Sequence, residues 1–231
     1  MLTDIFSSFD PEIYFSGRTM YFWLLSISSP LMFFCSFWLS TAPALRFAFL
    51  QLSVMKAQAS RTNSINLPAL HHFLMTLFIL LTSLNLLGLF PYIFSTTSHL
   101  MFTLSFGLPL WLMLILSSTF FAPTSFAASL LPAGAPAWLN PFLVLIETIS
   151  TGVQPGTLSF RLAANMSAGH IVMTLLSIYL MMTFWTTSWT AFCGLLITQI
   201  SYTLFEGGIA LVQAYIFCLL LSLYSDTHPL N

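Results

Sequence analysis

"LHHFLMTLFILLTSLNLLGLF", residues 70–90, is the stretch that decides the fold. It contains no Asp, Glu, Lys or Arg and ends at Pro91. An α-helix needs about 20 consecutive apolar residues to cross the hydrocarbon core of a bilayer. The residue before a proline disfavours helical backbone, which gives the segment a natural end. The stretch therefore predicts a membrane-crossing helix over 70–90.

The surroundings of this segment have the same character. Residues 62–146 contain no charged side chain, and the whole chain is 58% hydrophobic and 5% charged. A soluble domain carries about 25% charged residues, so this composition cannot build a water-exposed surface. A transmembrane barrel would show alternating segments of about 10 residues, whereas these runs are continuously apolar. The composition predicts an all-α polytopic membrane protein.

Apolar runs and their breaks predict five membrane-crossing helices. A Pro-rich connection with Pro123, Pro132 and Pro136 separates the third from the fourth. The last two exceed 30 residues, which is longer than a perpendicular crossing needs, so we expect them to be strongly tilted. No internal repeat is evident, and residues 1–231 are interpreted as one membrane domain. The predicted crossings are 19–39, 70–90, 100–121, 138–181 and 190–224.

Residues 44–66 have a different pattern, in which Arg46, Lys56 and Arg61 alternate with apolar side chains. Such mixing is typical of an amphipathic helix that lies in the membrane interface. Because basic loops stay on the inner side, the segment is expected inside and the acidic N-terminus outside. Five crossings then return the C-terminus to the inside. We expect no cleavable targeting segment, since the chain does not open with a basic region.

Candidate functional residues lie in the last two predicted helices. A charged side chain at mid-bilayer costs about 2.5–3.5 kcal/mol on insertion scales, so its presence suggests a function. An arginine cannot escape that cost by losing its proton. Snorkelling to an interface, or a structural pair with Glu147, would be the alternative for Arg161, but long apolar flanks on both sides disfavour snorkelling. The candidates are Glu147, Arg161, Asn165, His170, Glu206 and Gln213.

Helical spacing orders these candidates. Arg161 and Asn165 are one turn apart on one face, and Glu147 precedes Arg161 by about 21 Å along the axis. Glu206 and Gln213 are seven residues apart and again share a face. Protonatable groups interrupted by one permanent positive charge are what a gated proton path requires.

Small residues surround that charge. Gly152 and Gly156 form a GxxxG pair, and Ala164 and Ala168 form a second small-residue pair. Such faces allow another helix to approach closely. Either a neighbouring subunit or a helix of this chain could use them. 

Nothing in the sequence indicates a metal, a cofactor or a nucleic-acid partner. Cys35, Cys193 and Cys218 lie in apolar runs without a CxxC pair. His71 and His72 lack a third ligand nearby. We therefore expect none of these ligands.

Four motifs together resemble subunit a of the F-type ATP synthase membrane sector, and the mitochondrial form fits best. The resemblance covers residues 85–224 and the motifs occur in the family's order and spacing. They are "NLLGLFPYIFSTTSHL" (85–100), "PFLVLIETIS" (141–150), "RLAANMSAGH" (161–170) and "FEGGIALVQAYIFCLLLSLY" (205–224).

The resemblance implies roles for the candidates. Arg161 matches the essential arginine that faces the carboxylates of the rotating c-ring. His170 and Glu206 match a pair whose residue types are exchanged in bacterial relatives, and Asn165 and Gln213 match polar neighbours of the arginine. Glu147 matches an acid of a proton half-channel. The small residues Gly152, Gly156, Ala164 and Ala168 would face the rotor.

One departure from the family pattern concerns the position before Pro155. Many relatives carry an arginine there, whereas this chain has Gln154.

The implied function is that of a proton-translocating stator subunit with two half-channels separated by Arg161, and without an active site for ATP chemistry. Expected partners are the c-subunit ring, other membrane-sector and peripheral-stalk subunits, the lipid bilayer and protons. The expected location is the mitochondrial inner membrane, with the N-terminus on the intermembrane-space side and the C-terminus on the matrix side.

Two other classes remain open from the residues alone. A proton- or ion-coupled secondary transporter, or an antiporter-like respiratory subunit, would share intramembrane charges but usually shows internal repeats or broken helices. A structural membrane anchor would not need Arg161.

Overall fold

The computed structural model describes residues 43–62, 68–90, 93–131, 137–186 and 189–226, together with the single positions Phe9, Leu24 and Ser28. All regular structure within these ranges is helical. The predicted all-α class is therefore confirmed. 

Six α-helices and two short 3₁₀ turns make up the described chain. The turns cover Thr96–Ser98 and Ala137–Leu139. The α-helices are α1 (Pro43–Ala59), α2 (Pro68–Gly88), α3 (Leu100–Phe121), α4 (Pro123–Ser129), α5 (Asn140–Thr186) and α6 (Trp189–Asp226).

Four helices are long and apolar enough to cross a membrane. Their apolar spans are Ala69–Gly88, Leu100–Phe121, Asn140–Trp185 and Trp189–Asp226. They correspond to the crossings predicted at 70–90, 100–121, 138–181 and 190–224. The fifth predicted crossing, 19–39, lies outside the described residues except at Leu24 and Ser28.

Helix ends depart from the predictions where local chemistry decides them. α2 ends at Gly88 rather than Phe90, and the Leu89 N–H closes its last turn by an i to i−3 bond to the Leu86 carbonyl at 3.2 Å. α5 continues past 181 to Thr186. The Pro-rich connection was expected to be non-helical, yet α4 forms there with Pro123 at its start, where the missing N–H costs nothing.

α1 covers Pro43–Ala59, most of the segment 44–66 that was predicted to be amphipathic. It ends at Ala59, and the Ser60 N–H closes its last turn on the Lys56 carbonyl at 3.0 Å. Gln51, Met55 and Ala59 recur at i, i+4 and i+8 and are all buried. The interfacial position of α1 stays a prediction.

The long helices α5 and α6 form the central hairpin, while α1 packs mainly on α2 and α4 packs on α3. α2 lies against α6, and α3 lies against α5. α3 and α5 come close at Gly107, where an added Cβ would lie 2.7 Å from the Ser159 Oγ. The buried apolar core joins these helices through Met55, Leu74, Leu77, Phe78, Leu81, Leu110, Leu158, Leu162, Ala214, Phe217, Cys218 and Leu221.

α5 is covered far less than its partner helix. Only 6% of its most apolar window is buried, against 39% in α6. Apolar side chains such as Phe142, Ile149 and Phe160 remain exposed along it. Within the described part of the chain, most of this apolar window of α5 is therefore left to be covered by lipid or by another subunit.

Candidate functional site

The hairpin of α5 and α6 brings polar groups from distant parts of the sequence together. The Asn165 Nδ2 donates a hydrogen bond to the Gln213 Oε1 at 3.0 Å. Leu162 and Met166 flank Asn165 along α5 and are buried in the core, which fixes the rotation of the helix. Both predicted amides thus lie together on one side of the hairpin.

Glu206 is seated against α5 at a glycine. The residue is 1% exposed, and a Cβ added at Gly169 would collide with its carboxylate. Tyr202, one turn earlier on α6, interacts with the same carboxylate through its hydroxyl. The Glu206 Oε1 is buried and has no hydrogen-bond partner within the described chain. The absence of a side chain at 169 is what gives this acid its place.

His170 follows Gly169 but faces another neighbour. Its Nε2 would lie 3.9 Å from a Cβ at Gly88, and its ring centroid is 6.4 Å from that of Phe9. The His170 Nε2 is buried without a hydrogen-bond partner among the described residues. The structure thus brings His170 and Glu206 to the same turn of α5. Within the described residues, however, the His170 Nε2 does not hydrogen-bond to the Glu206 Oε1.

An open cleft adjoins Glu206. It has a volume of about 660 Å³ and runs along the α5–α6 surface. Its polar lining comes from Asn165, Tyr202, Glu206 and Gln213, and Gly169 forms part of its wall. The cleft therefore gathers three of the six polar candidates, and we call it the Glu206 cleft.

Arg161 lies one turn before Asn165 on the uncovered side of α5. Arg161, Ala164, Asn165 and Ala168 are exposed, whereas Leu162 between them is fully buried. The Arg161 guanidinium is close enough to the Tyr224 phenol for the two groups to interact electrostatically. Arg161 thus lies on a face of α5 that the described residues leave uncovered.

The two glycines before Arg161 on α5 also have free space around them. A Cβ added at Gly152 or Gly156 would meet nothing within 4 Å. The small residues could serve a neighbouring subunit or a helix of this chain. In the described part of the chain, no helix packs against Gly152 or Gly156.

Glu147 lies at the other end of this face, about 21 Å from Arg161 along the helix. It is exposed and lines a second, smaller cleft of about 130 Å³, which we call the Glu147 cleft. Gln154 and Tyr224 also line this cleft. On α5, the residues of the Glu147 cleft precede Arg161 and the residues of the Glu206 cleft follow it. The two clefts therefore lie on either side of Arg161 along the helix.

Similarity to known proteins shows the family to which the chain belongs. The model of the family described as ATP synthase A chain matches residues 19–226. The chain belongs to the ATP synthase A chain family. ATP synthase subunit a of Drosophila melanogaster is 38% identical, over 98% of this chain and 99% of the relative. The same subunit of Aedes aegypti is also 38% identical with those coverages, and that of Artemia franciscana is 39% identical over 98% and 100%.

This membership fixes the general role. Members are membrane-sector subunits of the F-type ATP synthase, and the insect relatives support the mitochondrial type. The apolar helices agree with a membrane location, and the family with ion transport in ATP synthesis. The family decides against the secondary-transporter and membrane-anchor alternatives.

Three polar residues that lie near the candidates were not singled out in the sequence. Tyr202 could have been found, because its i, i+4 spacing to Glu206 puts both on one face. Asn85 donates from Nδ2 to the Ala210 carbonyl at 3.2 Å, and it was quoted only as part of a motif. Tyr224 approaches Arg161 across two helices, which no local pattern signals. 

No cluster of three metal-ligating side chains occurs among the described residues.

Proposed function

We propose that this chain is the stator half of a rotary proton path, in which Arg161 separates two half-channels that open to opposite sides of the membrane. The supporting observation is the placement of a permanent cation on an exposed small-residue face, between two clefts that each hold an acid. An intramembrane charge that faces a partner or a water-filled cavity is the common functional arrangement.

The partner of this face is a ring of small subunits that carry a carboxylate. Gly152, Gly156, Ala164 and Ala168 would let a ring helix approach the backbone of α5. The exposed apolar side chains along α5 would be covered by the same contact. Arg161 would then lie opposite the carboxylates as they pass.

The Glu206 cleft serves as the entry path. Water in this cleft of about 660 Å³ would lie beside Glu206, Asn165 and Gln213, which line it and can exchange or orient a proton. A proton delivered to a ring carboxylate neutralises it, and the neutral acid enters lipid at far lower cost than its anion. The ring can therefore turn away from the stator only after protonation.

The Glu147 cleft serves as the exit path. Glu147, Gln154 and Tyr224 offer a carboxylate, an amide and a phenol there. Tyr224 connects this cleft to Arg161, since it lines the cleft and interacts with the guanidinium. A ring carboxylate arriving at Arg161 is favoured in its ionised form, so its proton leaves before it passes.

Arg161 also prevents a short circuit. A permanent cation repels a hydrated proton, and arginine keeps its charge where a desolvated lysine can lose it. The gradient supplies about 2.3 kcal/mol per charge per 100 mV, and a leak between the clefts would dissipate it.

The proposed setting is the mitochondrial inner membrane, together with the c-ring and the peripheral-stalk subunits. The N-terminus would face the intermembrane space and the C-terminus the matrix, because Arg46, Lys56 and Arg61 would then lie on the matrix side.

The test uses the assembled synthase in inner-membrane vesicles. Arg161→Ala is expected to abolish proton-driven ATP synthesis while ATP hydrolysis by the detached catalytic head continues. Arg161→Lys should retain assembly but show a raised passive proton leak. Ser177→Ala, an exposed position on the same helix outside both clefts, is the matched control. Normal synthesis by Arg161→Ala in a fully assembled complex would overturn the proposal.

A further inference from the structure

α1 turns one face into the protein and leaves the other uncovered. Met55 is fully buried and belongs to the core together with Leu74 and Leu77 of α2. The Thr82 Oγ1 donates to the Gln51 Oε1 at 3.2 Å inside the same contact. These interactions fix the rotation of α1, so its outward face is set by the fold.

The outward face is cationic. Arg46 and Lys56 are exposed on α1, and Arg61 is exposed just after its end. The chain has no Asp or Glu from residue 13 to residue 146, so no acid neighbours them in sequence. Of the acids that the structure describes, Glu206 is seated at Gly169, Glu147 lines the Glu147 cleft and Asp226 ends α6. Three of the five basic residues thus lie within residues 46–61, with no acid near them in sequence.

Large apolar side chains share this face. Phe49 is 68% exposed and Leu50 is 63% exposed. Both lie one turn from Arg46, at i+3 and i+4, so apolar and cationic groups are neighbours. Long basic side chains in such a setting keep their stems in an apolar layer and reach with their charged ends to a polar one.

We propose that this face of α1 binds anionic phospholipid. Arg46, Lys56 and Arg61 contact the phosphate groups, while Phe49 and Leu50 contact the acyl chains. An acidic protein surface would neutralise the cations but would not cover the apolar side chains between them, whereas a phospholipid supplies both contacts. The inference does not depend on the proposed proton path.

The test measures lipid contacts in the assembled synthase. The complex is reconstituted in phosphatidylcholine bilayers with a trace of diazirine-bearing phosphatidylglycerol, or of diazirine-bearing phosphatidylcholine. After illumination, mass spectrometry quantifies the label on residues 43–61. We expect the anionic probe to label this segment more strongly, with the preference falling about five-fold for each cation removed at low salt and falling as salt rises.

Two variants separate charge from side-chain identity. The combined change Arg46→Gln, Lys56→Gln and Arg61→Gln should remove the preference, and the charge-preserving set Arg46→Lys, Lys56→Arg and Arg61→Lys should keep it. Equal labelling by both probes in the unaltered complex would overturn the proposal. A protein subunit found bound to this face of α1 in place of lipid would also overturn it. The comparison of the two probes on the unaltered complex decides the matter even where the neutral variant fails to assemble.

Discussion

Gly169→Ala tests whether the buried position of Glu206 depends on the absence of a side chain at residue 169. The added Cβ would occupy the space of the Glu206 carboxylate, so either the acid or the α5–α6 contact must shift. Overpacking of this kind costs about 1–3 kcal/mol. Since about 1.4 kcal/mol corresponds to a factor of ten, the seated position of Glu206 should become about 5- to 150-fold less populated.

The assay is ATP-driven proton pumping by the assembled complex in inner-membrane vesicles, followed by the quenching of an acridine dye. Pumping should fall with the seated population. Gly194→Ala on α6 is the matched control, because a Cβ there meets nothing within 4 Å. Alanine in place of glycine within a helix is otherwise favourable by about 0.5–1 kcal/mol, so a general effect of the substitution would have the opposite sign.

A second substitution distinguishes displacement of the Glu206 carboxylate from a general packing defect. Glu206→Asp shortens the acid by one methylene, so the double variant Gly169→Ala, Glu206→Asp should pump faster than Gly169→Ala alone. Unchanged pumping in Gly169→Ala, or a double variant no better than the single one, would refute the reasoning.

Further predictions concern the contacts of α5. Asn165→Leu and Gln213→Leu should each slow pumping, and their double variant should lose less than the sum, because one hydrogen bond of about 0.5–1.5 kcal/mol joins them; a double-mutant cycle measures this, and strictly additive losses would contradict it. Gly107→Val should lower the melting temperature of the complex by displacing Ser159, with a cost of about 1–3 kcal/mol; an unchanged melting temperature would argue against the close α3–α5 contact. Gly156→Cys should form a disulfide with a cysteine placed on a ring helix, and its absence under oxidising conditions would show that this face has another neighbour.

Helices whose position depends on neighbouring residues could be predicted from the sequence. Continuous apolar runs and the breaks at proline and glycine predict the four described spans, because bilayer thickness and backbone chemistry act along the chain. The shared face of Arg161 and Asn165 follows from helical periodicity alone. The short helix after Pro123 shows the limit of the same reasoning, since a proline that interrupts one helix can begin the next.

Contacts between helices could not be predicted in this way. The approach of Glu206 to Gly169 and of Tyr224 to Arg161 depends on how far two long helices slide past each other, which is set by many packed side chains together. His170 illustrates the consequence. The resemblance paired it with Glu206, and the structure brings both to one turn while directing the imidazole toward Gly88.

The measurement that tests the central claim most directly is the sidedness of water access. In a variant whose native cysteines are replaced, a single cysteine at Gln213 reports on the Glu206 cleft and one at Glu147 on the Glu147 cleft. A membrane-impermeant thiol reagent is applied to sealed vesicles of each orientation containing the assembled synthase. The account predicts that the two cysteines react from opposite faces of the membrane. Reaction of both from the same face would contradict it.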